Sequence, residues 1–296
     1  MYCLGLDVGG TKINIGILNE EYKLVATKKL YISDIVEPTA DIKSAVLQLC
    51  KECGVDYGEL SSCGVGVPGT VSADGKTLIK APNIDILTSD FATRLEAVLK
   101  IPVFMMQDSR AAAWGEYLCG AGVGSKTLVC ITIGTGIGTG IVIDGKIYNG
   151  ALGTAGELGH VPVVENGRPC GCGKVGCMEK YCAGRGLDIT ASELLYEGAD
   201  ASALFEASRN GNEDAKRAID NAIMLLGNTL VSAVNLLSPD CMLFSGGMSE
   251  QEELFLNPLI EYISSHCYSS GTLVRMEKAK LGEYAPLIGA GLGSRQ

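Results

Sequence analysis

One short pattern occurs twice in this chain: an alternating apolar run, a turn rich in Gly and Thr, and a second alternating run. The first copy spans residues 4–18 and the second spans residues 128–143. Alternation with a period of two, bounded by glycine, predicts a β-hairpin in each place. Aligning Val8 with Ile133 makes the whole chain a pseudo-repeat. We therefore expect two similar lobes, each with its own sheet.

Both predicted hairpins are followed by alternating helical and extended patterns, as is typical of α/β folds. Residues 109–118 and 212–237 carry apolar side chains at spacings of three and four, which predicts helices. Extended segments are predicted at 62–67, 103–106 and 241–245. A chain of 296 residues is long enough for both lobes to bury a core.

The 39 glycines are concentrated at predicted strand ends, which indicates close approach of the backbone. Backbone N–H groups without side-chain bulk can cradle phosphate, so both hairpin turns are candidates for a nucleotide site. Neither turn has a Walker or Rossmann spacing, and two tight hairpins without a ligand are an equally good interpretation. A third turn, at Gly246 and Gly247, either packs against a purine ring or connects a strand to a helix, and its local pattern favours the connection.

A histidine and three cysteines lie close together in another glycine-rich segment, at residues 160–177. These predicted ligands are His160, Cys170, Cys172 and Cys177. Three thiolates and one imidazole match the tetrahedral shell that zinc prefers, and the glycines permit the necessary reversals of the chain. Four protein ligands leave no open position, so we expect a structural Zn²⁺ that holds a substrate loop. The CxxC pair of Cys50 and Cys53 lies on an amphipathic stretch and is interpreted as packing.

Charge and hydropathy exclude several classes of protein. Asp and Glu outnumber Lys and Arg by 34 to 24, and a net charge of -10 disfavours nucleic acid as a partner. With 47% hydrophobic and 20% charged residues the chain is not disordered, and no apolar run approaches 18 residues, so we expect no membrane partner. The amino terminus lacks the pattern of an export signal, which predicts a cytoplasmic location and reduced cysteines.

Taken together, these residues resemble the ROK family of repressors and sugar kinases, within the larger actin, heat-shock and hexokinase-like ATPase fold. The resemblance spans nearly the whole chain. The matching motifs are LDVGGTK at 6–12, GVGVPG at 64–69, APN at 81–83, QDSRAA at 107–112, TIGTGIGTGI at 132–141, ELGH at 157–160, CGCGKVGCME at 170–179 and SGG at 245–247. The resemblance implies an α/β fold of two ribonuclease-H-like lobes around a central cleft. The expected lobes are 1–117 with a return segment at 286–296, and 118–285.

The resemblance also assigns roles to individual residues. It implies that Asp108 is the catalytic base, whereas the local sequence alone favours an N-cap for the helix beginning near Ser109. It implies that Asp7 holds Mg²⁺ through water. The implied ATP-binding residues are Asp7, Gly9, Gly10, Thr11, Lys12, Gly134, Thr135, Gly136, Gly246 and Gly247. The implied sugar-binding residues are Gly69, Asn83, Gln107, Asp108, Glu157, His160 and Glu179. A solvated side chain remains the alternative for Lys12, and surface positions remain the alternative for the two glutamates.

Two departures from the common family pattern bear on which sugar is used. Gln107 stands where many of these sugar kinases have Asn, and the segment after Asn83 lacks the usual Gly-Trp. The expected activity is ATP-dependent phosphorylation of an aldohexose at the 6-hydroxyl, with glucose as the first choice. D-Allose and N-acetylmannosamine are the alternatives.

Two other classes of function fit the sequence less well. A sugar-responsive ROK repressor is disfavoured because the first hairpin begins at Leu4 and leaves no room for a helix-turn-helix module. A non-catalytic sugar-binding protein is disfavoured by the retention of Asp108 and both phosphate loops. The resemblance further suggests a homodimer.

Overall fold

The architecture is that of a computed structural model, which describes residues 1–81, 84, 86–268 and 273–293. These residues belong to two units, each with its own apolar core. One unit comprises Met1–Gly124, Gly140–Ala155 and Lys280–Gln296, and the other comprises Ser125–Thr139 and Gly156–Ala279. The lobe boundaries expected from the sequence remain predictions.

The elements up to residue 124 alternate between strands and helices. Their strands are β1 (Tyr2–Val8), β2 (Lys12–Leu18), β3 (Leu24–Tyr31), β4 (Leu60–Val67), β5 (Thr70–Val71), β6 (Leu78–Lys80) and β7 (Val103–Gln107), and their helices are α1 (Pro38–Cys53), α2 (Phe91–Leu99) and α3 (Asp108–Cys119). Helix α1 contains the predicted amphipathic stretch, with Cys50 buried and Cys53 half-buried, as expected for packing. The alternation accords with the α/β class.

The remaining elements also combine strands and helices, with four consecutive helices between β10 and β11. Their strands are β8 (Thr127–Ile133), β9 (Ile137–Ile143), β10 (Lys146–Ile147), β11 (Cys241–Ser245) and β12 (Arg275–Lys278), and their helices are α4 (Glu179–Cys182), α5 (Gly184–Leu194), α6 (Ala201–Arg209), α7 (Glu213–Leu237), α8 (Asn257–His266) and α9 (Ala285–Gly293). The side chain of Asn212 caps α7 by accepting from the backbone N–H groups of Asp214 and Ala215, both at 3.0 Å. The predicted helix at 212–237 is confirmed.

Two five-stranded sheets repeat one strand order, β3-β2-β1-β4-β7 and β10-β9-β8-β11-β12. In the first sheet β1 pairs antiparallel with β2 and parallel with β4, and β4 pairs parallel with β7. In the second, β11 pairs parallel with both β8 and β12. The turns that were aligned from the sequence, after Val8 and after Ile133, follow corresponding strands β1 and β8. The pseudo-repeat is therefore confirmed.

Helix α9 packs against the first sheet although it lies at the far end of the chain. Its backbone comes so close to β4 that a Cβ atom on Gly64 would lie 1.7 Å from the carbonyl oxygen of Ala290. A Cβ on Gly5 would lie 2.3 Å from the carbonyl oxygen of Leu287. Glycine is therefore required in β1 and β4 because a helix backbone lies directly on them.

Helix α7 is the one helix among the described residues that is long and apolar enough to cross a membrane. Half of its apolar window is buried within the protein, and Leu226 and Leu230 are fully buried in the core of the second unit. Core helices of globular proteins have the same length and composition.

Candidate active site

The first glycine turn joins β1 to β2 at the carboxyl end of β1. The backbone N–H of Gly9 donates to the carbonyl of Lys12 at 2.9 Å and closes the turn, while a Cβ on Gly10 would contact nothing within 4 Å. Asp7 lies just before the turn, and the Nδ2 of Asn14 donates to its Oδ2 at 3.1 Å. Burial raises the pKa of Asp7, against the lowering effects of Asn14 and Lys12. A nearby cation would lower this pKa and so offset the effect of burial.

Lys12 is held in an ion pair and is not simply solvated. Its Nζ lies 3.0 Å from Oε2 of Glu283, and Nζ of Lys29 lies 3.2 Å from Oε1 of the same carboxylate. The hydrogen bonds from Lys12 and then Lys29 lower the pKa of Glu283, and the bond to Glu283 raises the pKa of Lys12. Sequence reasoning missed Lys29 and Glu283, because no local pattern pairs residues so far apart in the chain.

Asp108 is at the junction of β7 and α3. It is the first residue of the helix, and Gln107 is the N-cap, so the helix begins one residue earlier than the sequence suggested and Asp108 is not its N-cap. The Oδ1 of Asp108 accepts from the backbone N–H of its neighbour Ser109 at 2.6 Å. A carboxylate in this first turn interacts favourably with the helix dipole.

Three parallel strands bring predicted site residues to one edge of the first sheet. In register, Asp7 on β1 faces Gly66 on β4, and Val67 on β4 faces Gln107 on β7. The carboxyl ends of adjacent parallel strands are the usual place for a ligand site in α/β proteins. Gly69, just beyond β4, has φ +153°, and a Cβ there would lie 2.1 Å from the carbonyl oxygen of Lys80. The predicted sugar residue Asn83 lies outside the described residues.

The second glycine turn joins β8 to β9. The backbone N–H of Gly134 donates to the carbonyl of Gly136 at 3.0 Å, and the N–H of Gly184 donates to the carbonyl of Gly134 at 2.8 Å. The N–H of Arg185 also donates to the carbonyl of Thr135, at 3.4 Å. The turn is thereby tied to the amino terminus of α5, where the helix dipole favours an anion.

A cavity of about 400 Å³ lies beside this turn. Its lining residues are Gly134, Thr135, Gly184, Arg185, Asp188, Ala201, Ser202, Phe205, Gly247, Met248 and Gln251. The third glycine turn therefore reaches the same cavity as the second. Gly246 has φ +87°, and a Cβ there would lie 2.5 Å from the carbonyl oxygen of Ile133 at the end of β8. Only glycine lets β11 and the turn after it lie this close to the phosphate-loop candidate.

The predicted zinc ligands converge on one point. The ligand atoms of all four side chains lie within 4.8 Å of one another. Sγ of Cys172 lies 3.6 Å from Sγ of Cys177, and Sγ of Cys170 lies 3.6 Å from Nδ1 of His160. A tetrahedron with Zn–S bonds of 2.3 Å has edges of about 3.8 Å, so the spacing fits a zinc ion.

The electrostatics of the cluster also favour a cation. Burial, together with hydrogen bonds to Cys172 and Cys170, raises the pKa of Cys177 to about 12. Burial likewise raises the pKa of Cys170. The pKa of Cys172 is lowered instead, because its burial is outweighed by hydrogen bonds with the backbone of Lys174 and with the other two thiols. A metal ion would stabilise the thiolate form of all three cysteines.

Glu179 lies between the cluster and the second glycine turn. Its Oε1 is 3.6 Å from Sγ of Cys170, and its Oε2 is 2.7 Å from where a Cβ on Gly136 would stand. Glu157 lies on the other side of the imidazole, with its Oε2 4.0 Å from Nε2 of His160. His160 thus directs Nδ1 towards the thiols and Nε2 towards a carboxylate, an arrangement common in metal-bound histidines.

Sequence comparison identifies known relatives of the whole chain. A profile of the ROK family matches residues 3–293. A glucokinase from Streptomyces coelicolor is 32% identical over 307 residues, which cover 97% of this chain and 95% of that protein. An N-acetylgalactosamine kinase from Shewanella sp. is 31% identical over 297 residues, with coverages of 97% and 95%.

The fold also matches an experimental structure over its full length. A ROK family glucokinase from Streptomyces griseus, solved in complex with glucose and AMPPNP, superposes with a TM-score of 0.83 at 32% identity. The match covers 100% of both chains.

Proposed function

Because this chain belongs to the ROK family and is an ATP-dependent sugar phosphotransferase, we propose that it phosphorylates an aldohexose at the 6-hydroxyl, with glucose as its first substrate. The observation that carries the proposal is the shared cavity of the second and third glycine turns, which suits a nucleotide. Its volume of about 400 Å³ is that of a small-molecule site, and its lining combines three glycines, which allow a phosphate to approach the backbone, with the apolar side chains of Phe205 and Met248.

In this proposal Asp108 is the general base. Its carboxylate accepts the proton of the sugar hydroxyl while that oxygen attacks the γ-phosphorus in line. The bond from the γ-phosphorus to the bridging oxygen breaks, and the products are ADP and the sugar 6-phosphate. The proton then passes from Asp108 to solvent.

Backbone amides carry most of the nucleotide binding. Gly9, Gly10, Thr11 and Lys12 form one phosphate loop, Gly134, Thr135 and Gly136 form the other, and Gly246 and Gly247 lie by the adenosine. Asp7 fits a magnesium ion held through water, since its buried carboxylate has a raised pKa that a cation would lower. When bound, a magnesium ion would supply neutralisation of the phosphate charge.

The sugar is held by Glu157, Glu179 and His160, with Gly69, Asn83 and Gln107 lining the pocket. A zinc ion held by His160, Cys170, Cys172 and Cys177 would be structural, because all four positions of its tetrahedron are filled. It would keep the loop rigid enough for Glu179 to accept hydrogen bonds from sugar hydroxyls.

The identity of the sugar is the least constrained part of the proposal. D-Allose and N-acetylmannosamine remain the alternatives, because Gln107 and the segment after Asn83 depart from the common pattern. The Shewanella relative, an N-acetylgalactosamine kinase, supports including N-acetylated sugars. A cytoplasmic location and a homodimer complete the proposal, and sedimentation of the purified protein tests the dimer.

A coupled assay of ADP release tests the function directly. Purified protein with ATP and Mg²⁺ is presented with glucose, allose, mannose, fructose, N-acetylglucosamine, N-acetylgalactosamine and N-acetylmannosamine. We expect the highest kcat/KM with glucose, and NMR of the product should show phosphate on the 6-oxygen. If another sugar gives a higher kcat/KM, that sugar and not glucose is the preferred substrate. If none of these sugars is phosphorylated, the hexose kinase proposal is refuted.

A further inference from the structure

Arg110 is a buried cation on the helix that begins with the proposed base. It follows Asp108 by two residues on α3, and only 7% of its surface is exposed. Arginine is almost never this buried unless its donors are satisfied. The partners of its guanidinium therefore indicate what the side chain does.

The guanidinium binds the loop of residues 149–155, which lies shortly after β10. One terminal nitrogen donates to Oδ1 of Asn149 at 3.2 Å. The other donates to the carbonyls of Gly153 at 2.8 Å and Ala155 at 3.0 Å. The planar fork of arginine can hold several oxygens in fixed directions, which a lysine ammonium cannot do.

Among the described residues, few other interactions hold this loop in place. Leu152 is 87% exposed, and Gly150 and Gly153 have φ of +69° and +72°. Within the loop, the N–H of Ala155 donates to the carbonyl of Asn149 at 3.1 Å and that of Gly153 to the carbonyl of Gly150 at 3.4 Å. A glycine-rich segment with little apolar burial needs an external anchor to offset its conformational entropy.

We propose that Arg110 is a positioning residue that determines how the sugar is held. It fastens residues 149–155 to the helix that begins with Asp108, and Glu157 follows Ala155 by only two residues. A displaced loop would therefore displace a carboxylate that binds sugar hydroxyls, and would leave the cavity beside Gly134 unchanged. This inference rests on the proposed function, since it concerns the sugar site of that kinase.

The test compares Arg110→Asn with Arg110→Lys, and uses Arg94→Asn as the matched control. Arg94 is an exposed arginine of the same unit, paired with Glu37. We expect KM for the sugar to rise about ten- to a hundredfold in Arg110→Asn, with KM for ATP changed less than about twofold. In Arg110→Lys the sugar KM should rise less than in Arg110→Asn. Millimolar guanidinium ion should restore sugar binding to Arg110→Asn and leave the wild type unaffected.

Hydrogen exchange provides a readout that does not depend on activity. Amides of residues 149–155 should exchange faster in Arg110→Asn than in the wild type, while amides of β8 and β11 should not change. An unchanged sugar KM, or equal losses for sugar and ATP that follow a lower melting temperature, would overturn the inference. If the wild type phosphorylates no sugar, the proposed function fails, and unchanged exchange in the loop would then refute the anchoring as well.

Discussion

Asp108 begins helix α3 and is also the proposed base, and an isosteric substitution can separate these two roles. In Asp108→Asn the side-chain oxygen can still accept from the backbone N–H of Ser109, so the start of α3 should be preserved. The amide cannot accept a proton, so we expect kcat to fall at least about a hundredfold, with a much smaller change in KM for the sugar. Steady-state kinetics on folded protein measures both.

The same substitution at Asp34 is the matched control, since that carboxylate is exposed and accepts from the hydroxyl of Ser33 at 2.9 Å. Asp34→Asn should leave kcat unchanged. Near-normal turnover in Asp108→Asn would mean that this carboxylate only supports the helix.

Gln107 is half-buried at the end of β7, directly before the proposed base. Gln107→Asn shortens the side chain by one methylene and draws its amide back, which would change the orientation of the sugar hydroxyl that finds a partner there. A buried polar group left without a partner costs about 1–3 kcal/mol. We therefore expect kcat/KM for glucose, relative to the other hexoses, to rise about ten- to a hundredfold.

The exposed Gln48 on α1 is the control for this change, and Gln48→Asn should leave the sugar preference as it is. An unchanged ratio in Gln107→Asn, with normal zinc content and ATP affinity, would show that sugar selection lies elsewhere in the pocket.

At the scale of elements, the glycine-rich segment of residues 170–177 brings three cysteines together with His160. The purified protein should contain one zinc per chain by elemental analysis, and Cys172→Ser should lose it. We expect KM for the sugar to rise in this variant, because Oε1 of Glu179 lies only 3.6 Å from Sγ of Cys170. Zinc should also be released as the pH falls, since protons compete for the thiolates and the imidazole.

Cys119→Ser is the matched control, because that thiol lies on α3 and donates to the carbonyl of Gly115. It should retain full zinc and normal kinetics. Protein purified without chelators that contains no zinc would contradict the assignment and leave a cluster of reduced thiols.

At the scale of the whole molecule, the docking of α9 joins the end of the chain to its beginning. A Cβ on Gly289 would stand 1.7 Å from the carbonyl oxygen of Ala111 on α3, so Gly289→Ala must push the two helices apart. We expect the free energy of unfolding to fall by about 3 kcal/mol, the upper part of the range for overpacking, because a helix carbonyl cannot rotate away. Denaturant titration measures this loss.

Gly58→Ala is the control, since a Cβ there would make only an ordinary 3.5 Å contact with the side chain of Asp56. Its stability should remain within about 1 kcal/mol of the wild type. Equal stability of Gly289→Ala and the wild type would show that α9 docks less closely than its backbone position indicates.

Much of this protein could be predicted from local sequence. The two hairpins follow from alternation interrupted by glycine, and their repeat predicted two sheets of similar design. The cluster of His160 and the three cysteines could be grouped from the sequence alone, because these residues are close along the chain and of rare type. Asp108 was harder, since a carboxylate at a helix start is more often a cap, and only its resemblance to a family motif indicated a base.

Other features depend on contacts between distant parts of the chain. The pairing of Lys12 with Glu283, the hold of Arg110 on residues 149–155 and the cavity shared by two glycine turns have no local signal. A charged side chain has many possible partners in sequence, and its partner is decided when packing excludes water and fixes the distances between groups. Periodicity thus determined the strands and helices of this protein, while tertiary packing decided which polar groups meet, because the cost of burying an unpaired group applies only where the fold encloses it.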